Sequence, residues 1–136
     1  MYDFKKIEES KISNDLMKKI KKEALMIYKP NFEWYGLYDK DILLCVIALG
    51  FRKTNYRVEA IYTIEQFRGY GIASNALNRL CELYNFDFDI TADCLDSSVS
   101  LFQKVGFQKH KTMNYKICNI HKCSMKRGTI NGKQRI

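Results

Sequence analysis

The stretch that decides the fold is Ile61–Ser74, with the sequence IYTIEQFRGYGIAS. A β-branched and aromatic segment runs into a turn with two glycines, and a helical pattern follows in which four residues share one side: Ile72, Ala76, Leu80 and Leu83. Glycine permits positive φ and close approach of a ligand to the backbone, and the first turn of a helix has unpaired N–H groups at its positive end. The sequence therefore predicts a strand, a loop and a helix that together bind a phosphate group.

The glycine turn Arg68–Gly71 differs from two common phosphate-binding motifs. A P-loop needs a Lys followed by Ser or Thr, and a dinucleotide-binding fingerprint needs a third glycine and a later acidic residue. Because the sequence has neither pattern at this turn, it predicts a different pyrophosphate ligand.

The turn resembles the signature R/Q-x-x-G-x-G/A of the GNAT superfamily of acyl-CoA-dependent N-acyltransferases, with Arg68, Gly71 and Ala73 at the signature positions. A second block, LFQKVGF at residues 101–107, is similar to the family's helix ending LY-x-K-x-GF. The two blocks follow one another in the family's order, and the order of predicted strands and helices from Tyr2 to Arg127 also agrees with the family's fold, so the resemblance covers nearly the whole chain.

The resemblance implies acetyl-CoA or a related acyl-CoA as the cofactor. The backbone of Arg68–Ser74 would hold the pyrophosphate, and the strand ending at Thr63 would pair with the pantetheine arm. The cofactor-binding residues that it implies are Ile61, Tyr62, Thr63, Arg68, Gly69, Tyr70, Gly71, Ile72, Ala73, Ser74 and Phe102. The acyl group would pass directly to an amine, and no metal is needed.

Direct transfer requires a base for the acceptor amine and a proton for the departing thiolate. The tyrosine that often supplies this proton in the family falls at Phe102, which has none to give. Since a thiol with a pKa of about 8.5 is a tolerable leaving group, the thiolate leaves unaided, takes a proton from water, or takes one from Tyr115 or Tyr62. The candidate bases are Glu59, in the central strand, and Asp93.

The order of elements indicates an α/β fold: a mixed, mostly antiparallel sheet, flanked by about three helices and, by the resemblance, splayed at the cofactor site. We expect one domain over residues 1–127 and a basic tail over residues 128–136. The first predicted elements are a strand at 2–7, a helix from Ser10 or Ser13 to about Tyr28, and a meander of strands Phe32–Tyr38, Ile42–Phe51 and Tyr56–Thr63. The helix after the glycine turn comes next, followed by a strand Phe88–Cys94 and a short helix Ser97–Val105 that ends at Gly106. The last two predicted strands are Lys111–Ile117 and Ile120–Arg127.

The positive charge is concentrated at one end of the chain. The 136 residues carry 23 Lys and Arg against 15 Asp and Glu, and residues 97–136 contain 9 Lys and Arg but no acid. Such a segment favours a polyanionic partner or serves as a solubilising tail, and both interpretations stay open. The candidate nucleic-acid-binding residues are Lys109, Lys111, Lys116, Lys122, Lys126 and Arg127.

Three functions compete. The first is an N-acyltransferase acting on a neutral or anionic amine acceptor, because basic strands beside the acceptor groove, where the resemblance places them, would repel polycations. The second is a nucleic-acid-modifying enzyme that resembles the phage DNA-modification protein Mom. The third is a non-catalytic module that binds CoA or nucleic acid. A homodimer is compatible with each.

The five cysteines are an odd number, which favours reduced, mostly buried thiols. Cys118-x-x-His121-x-Cys123 lacks a nearby fourth ligand, so no metal site is predicted. Cys94 as an acyl-carrying nucleophile would need a partner base. The longest apolar run, Ile42–Gly50, is too short to span a membrane, and the N-terminus lacks the pattern of a secretory signal, so we expect a cytoplasmic protein.

Overall fold

Within residues 1–130 and 133–134, which the computed structural model describes, seven strands form one sheet with three helices packed against it. The strands are β1 (Asp3–Ile7), β2 (Glu33–Asp39), β3 (Ile42–Phe51), β4 (Asn55–Thr63), β5 (Asp89–Cys94), β6 (Gln108–Asn114) and β7 (Asn119–Met125), and the helices are α1 (Asn14–Glu23), α2 (Ile72–Tyr84) and α3 (Val99–Val105). The spatial order is β1-β2-β3-β4-β5-β7-β6, and only β4 and β5 are parallel neighbours. The predicted mixed, mostly antiparallel sheet is confirmed.

The predicted meander corresponds to β2, β3 and β4. β3 is apolar along its whole length because helices cover it on both faces, and residues 44–50 are all buried. On one face α2 and α3 pack through Leu77, Leu80 and Phe102. On the other face α1 packs through Ile20 against Trp34 and its neighbours.

The first helix is shorter than predicted. The side chain of Ser13, not Ser10, caps α1 by accepting a hydrogen bond from the Leu16 N–H at 3.1 Å. The helix ends at Glu23 instead of continuing to Tyr28, because Leu25 adopts a left-handed φ of 51° that breaks the helical hydrogen bonding. Met26 then turns into the core, which leaves Ile27 exposed.

The apolar side of α2 also differs from the prediction at its end. Ile72, Ala76 and Leu80 are buried as expected, but Leu83 is 57% exposed. An apolar stripe drifts around a straight helix, so Leu77 and Cys81 complete the buried side instead of Leu83.

Both strands of the C-terminal hairpin begin and end earlier in the sequence than predicted. β6 begins three residues before the predicted Lys111 and ends at Asn114, because Tyr115 N–H donates to the carbonyl of Cys118 and closes the turn there. Ile117 lies in that turn and is 89% exposed. Beyond β7, Thr129–Ile130 (β8) pairs with Lys133–Gln134 (β9), while residues 131, 132, 135 and 136 of the expected tail lie outside the described residues. The domain boundary at residue 127 stays a prediction.

The sheet opens between β4 and β5. Their parallel pairing runs from Asn55 opposite Asp89 to Val58 opposite Ala92 and stops there, although β4 continues to Thr63. At the same point β4 has one extra residue relative to β3: Val58 lies opposite Leu49, and Ala60 lies opposite Ala48. This bulge at Glu59 bends the strand, and β4 and β5 diverge beyond it.

Candidate active site

A cavity of about 360 Å³ lies where β4 and β5 diverge. Its walls come from β4, the glycine turn, the start of α2, the end of β5 and the segment leading into α3. The lining residues that the sequence also singled out are Glu59, Ile61, Tyr62, Thr63, Arg68, Gly69, Gly71, Ile72, Ala73, Ser74, Asp93 and Phe102. The strand, the turn and the helix predicted around Arg68 thus meet in one cavity.

The glycine turn has the geometry of an anion cradle. Gly69 and Gly71 have φ of 88° and 74°, and a Cβ at either position would meet no atom within 4 Å. The space beside both residues is therefore open to a ligand. Gly71 immediately precedes α2, whose first N–H groups have no partner inside the helix and point toward this space.

Arg68 does not act in this cradle as a free cation. Its Nε donates to the Thr63 carbonyl at 2.9 Å, its Nη2 lies 3.2 Å from Glu23 Oε1, and its guanidinium lies over the Tyr62 ring at 5.1 Å. These contacts tie the turn to the ends of β4 and α1. The cradle therefore depends on backbone N–H groups, while Tyr70 is 76% exposed and lies outside the cavity lining.

The edge of β4 supplies a second row of backbone groups. Beyond Val58 the strand pairs with β3 on one side only, as far as Thr63 opposite Cys45. In an antiparallel pair, alternate residues direct their N–H and C=O groups away from the partner strand. Between residues 59 and 63 these groups face the cavity, where an extended ligand with amides can pair with them.

Two carboxylates in the cavity wall are held by three cations. Arg57 bridges them, with Nε at 3.2 Å from Glu59 Oε1 and Nη2 at 2.9 Å from Asp93 Oδ2. Arg52 lies 3.3 Å from the other Glu59 oxygen, and Lys122 Nζ lies 2.8 Å from Asp93 Oδ2. Burial raises the pKa of Asp93, but the hydrogen bond from Lys122 and the charge of Arg57 outweigh it and lower that pKa below its usual value. Asp93 is thus a weak base.

Gly50 on β3 makes room for the Glu59 carboxylate. A Cβ at Gly50 would overlap Glu59 Oε2. The bulge in β4 and the bare glycine beside it thus determine where the carboxylate lies.

The candidate acids occupy different places. Tyr62 lines the cavity and is 6% exposed, and burial together with the charge of Glu23 raises its pKa, so its hydroxyl is protonated at neutral pH. Tyr115 lies in the β6–β7 turn, donates to the Met113 sulfur at 3.7 Å and does not line the cavity. Phe102 is buried, with its ring 5.0 Å from that of Phe107.

None of the cysteines and histidines lines the cavity. All five cysteines are free, and burial raises the pKa of the Cys94 thiol, which does not line the cavity. His121 Nε2 lies 2.6 Å from Asp96 Oδ1, and its Nδ1 lies 2.9 Å from Thr112 Oγ1. In the part of the chain that the structure describes, no three His, Cys, Asp or Glu side chains are grouped to hold a metal ion.

The six basic candidates lie outside the cavity lining. Lys122 alone among them reaches the wall, through Asp93, and the other five are exposed on β6, in the β6–β7 turn and after β7.

Two residues of this site could not be recognised from the sequence. Glu23 and Gly50 have tertiary partners in or beside the cavity wall, yet neither belongs to a motif. The only sequence signal was the glycine that interrupts the apolar run of β3.

In the described residues, no helix has the length and apolar character that crossing a membrane requires.

No family model matches the chain, and no curated protein is similar to it in sequence. Solved structures are similar to it in fold. An "IAA acetyltransferase" from Bacillus cereus is 17% identical with a TM-score of 0.73, covering 92% of this chain and 99% of its own. The ribosomal-protein-S18-alanine N-acetyltransferase from Escherichia coli is 8% identical with a TM-score of 0.75, covering 96% of both chains. Naa50 from Arabidopsis thaliana, solved with the bisubstrate analogue CoA-Ac-MVNAL, is 17% identical with a TM-score of 0.68, covering 91% of this chain and 97% of its own.

These likenesses over nearly full length show that the chain has the GNAT fold. The resemblance inferred from two short blocks is confirmed at the level of the fold.

Proposed function

We propose that this GNAT-fold chain transfers an acetyl or related acyl group from acyl-CoA directly to an amine. One observation carries the proposal: the glycine cradle before α2 and the free edge of β4 meet in the same cavity. A pyrophosphate joined to a chain of amides is a ligand that needs both features. Structures of the same fold that hold CoA or a CoA analogue add to the support.

In this proposal the backbone of Arg68–Ser74 holds the pyrophosphate. Residues 59–63 of β4 pair with the pantetheine amides, which directs the far end of the ligand toward the fork of β4 and β5. When bound, acyl-CoA supplies an acyl group already activated as a thioester.

Glu59 is the proposed base for the acceptor amine. It lies in the wall at the bulge and pairs with Arg52 and Arg57, whereas the hydrogen bond from Lys122 and the charge of Arg57 lower the pKa of Asp93. Tyr62 is the proposed proton donor, since its hydroxyl is protonated and its residue lines the cavity. Tyr115 could take this part only if the β6–β7 turn moved toward the cavity.

The proposed acceptor is neutral or anionic. Among the described residues, each carboxylate in the cavity wall is already paired with a cation, so the wall offers no unpaired negative charge to a polycation. The excess positive charge of the nearby hairpin also disfavours one.

A CoA-binding module without turnover is the second candidate. The phenylalanine at position 102, where the family often has tyrosine, favours it. A cytoplasmic location and a homodimer are further predictions, which cell fractionation and light scattering would test.

Titration calorimetry with acetyl-CoA tests cofactor binding. Gly71→Val should abolish binding with the fold retained, because its side chain would enter the space in front of the cradle. Gly128→Val is the matched control, since Gly128 has a similar positive φ of 80° but lies away from the cavity. Unchanged affinity in folded Gly71→Val would refute the cradle. Release of free CoA thiol with candidate amines then separates enzyme from binding module.

A further inference from the structure

One face of the sheet is bare beyond β4. α1 covers β2, β3 and β4, and the cluster of side chains beneath it contains no residue of β5, β6 or β7. The opposite face of those three strands is covered, since Cys123 packs into the core and His121 contacts Asp96 beside α3. The face on the α1 side is therefore an open surface that begins at the cavity wall.

A row of charged side chains crosses this open surface. Asp93 on β5 lies opposite Lys122 on β7, and Lys122 lies opposite Lys111 on β6. Residues directly opposite one another point to the same face, so the two lysines lie side by side. Like charges in this position repel, and of the two lysines only Lys122 is paired with Asp93, which also pairs with Arg57. Lys111 has no carboxylate partner among the described residues.

The positive charge continues around the edge of the sheet. β6 is an edge strand, with Lys109 on the side of α3 and Lys111 on the open side. Lys116 is exposed in the adjoining turn, and no Asp or Glu occurs after Asp96. A small anion would contact only one face of the sheet. Positive charge on both faces of the edge strand therefore favours a polyanion as the ligand.

Apolar groups lie in the next row of the same face. Met113 follows Lys111 by two residues, and Ile120 lies opposite it on β7. The Tyr115 side chain lies against Met113 and is 52% exposed. An exposed aromatic ring beside lysines on an open sheet can stack with an unpaired base while the lysines contact phosphates. An acidic peptide would have no need of the stacking ring.

We propose that single-stranded nucleic acid binds to the open face of β5, β7 and β6, with phosphates at Lys111 and Lys116 and a base on Tyr115. Because the row ends at Asp93 in the cavity wall, the strand presents its acceptor group to the cavity. That last step rests on the proposed transferase function, whereas the binding itself does not.

Fluorescence anisotropy of the full-length protein with labelled 20-residue oligothymidylate tests the proposal. We expect binding at about 50 mM salt, and about four phosphate contacts would weaken it roughly 50-fold between about 50 and 200 mM. Lys111→Glu with Lys116→Glu should remove two contacts and reduce this loss to roughly 7-fold. Tyr115→Ala should weaken binding roughly 5- to 150-fold. The matched control is Lys18→Glu with Lys19→Glu, two exposed lysines of α1, which should behave as wild type.

Three results would overturn the proposal. The first is that the wild-type protein does not bind the oligonucleotide at about 50 mM salt. The second is that the control variant loses as much affinity as the variant with Lys111→Glu and Lys116→Glu, and the third is that duplex DNA or polyglutamate binds as tightly as the single strand. Acetyl-CoA affinity is measured separately on each variant. In the wild-type protein, absent oligonucleotide binding with intact CoA binding contradicts this inference alone, and the reverse contradicts the transferase alone. The surface variants should lose oligonucleotide binding and keep the wild-type affinity for acetyl-CoA.

Discussion

Replacement of Arg57 by methionine tests how the cavity wall is held. Among the described residues, Arg57 is the one that forms ion pairs with both Glu59 and Asp93, and its side chain is 29% exposed. Methionine preserves much of the apolar length of the side chain and removes both ion pairs. Asp93 then keeps Lys122 as a partner, and Glu59 keeps Arg52.

The expected cost lies between two limits. Exposed ion pairs contribute up to about 1 kcal/mol, whereas breaking a fully buried pair costs about 3–5 kcal/mol. Because Arg57 is partly buried and joins two carboxylates, we expect a loss of about 2 kcal/mol in the free energy of unfolding. For a chain of this size that loss lowers the midpoint of thermal unfolding by about 6–10 °C.

The loss should depend on pH in a defined direction. The folded-state pKa of Asp93 is lowered, so its contribution is present above its unfolded pKa of about 3.9 and disappears as pH falls through the folded value. Removing Arg57 raises the folded pKa toward the unfolded one. The difference between wild type and variant should therefore be largest near pH 7 and shrink below about pH 4.

Urea unfolding followed by circular dichroism at several pH values measures this difference. Arg52→Met is the matched control, because it removes one ion pair from a side chain that is 44% exposed and should cost less than about 1 kcal/mol. The reasoning is refuted if Arg57→Met costs no more than the control, or if its cost is the same at pH 3 and pH 7.

Three further predictions concern other parts of the site and fold. Phe102→Ala should lower the free energy of unfolding by about 3–5 kcal/mol, while Phe102→Tyr should keep or raise turnover; a stable alanine variant with selective loss of turnover would contradict the packing role. Gly50→Ala should displace the Glu59 carboxylate and lower kcat at unchanged CoA affinity. In a protein that already carries Glu59→Gln, the same substitution should lower kcat no further; additive losses of kcat would show that Gly50 does not act through Glu59. Leu25→Gly should raise the free energy of unfolding by about 1 kcal/mol in chemical denaturation, since it relieves the left-handed conformation of an exposed residue; a destabilised variant would show that the leucine packs usefully.

The sequence alone determined the features that depend on neighbouring residues. The strand, glycine turn and helix of Ile61–Ser74 were predictable because glycine's freedom at positive φ and the unpaired N–H groups of a first helical turn are local properties. The meander followed from apolar and β-branched runs separated by short polar breaks, and the end of the helix that buries Phe102 followed from the glycine at position 106. The predicted ends of helices and strands were less accurate, because the left-handed conformation of Leu25 and the turn after β6 depend on tertiary packing.

The chemistry of the cavity wall was decided only by the tertiary structure. Arg57 meets Asp93 across 36 residues because β4 and β5 pair in parallel, and Arg68 meets Glu23 across 45 residues through the end of α1. One extra residue at Glu59 changes which side chains share a face, and local sequence does not encode that register. Backbone groups that bind a phosphate can be recognised within a short segment, whereas the surroundings of a carboxylate depend on strands brought together from distant parts of the chain.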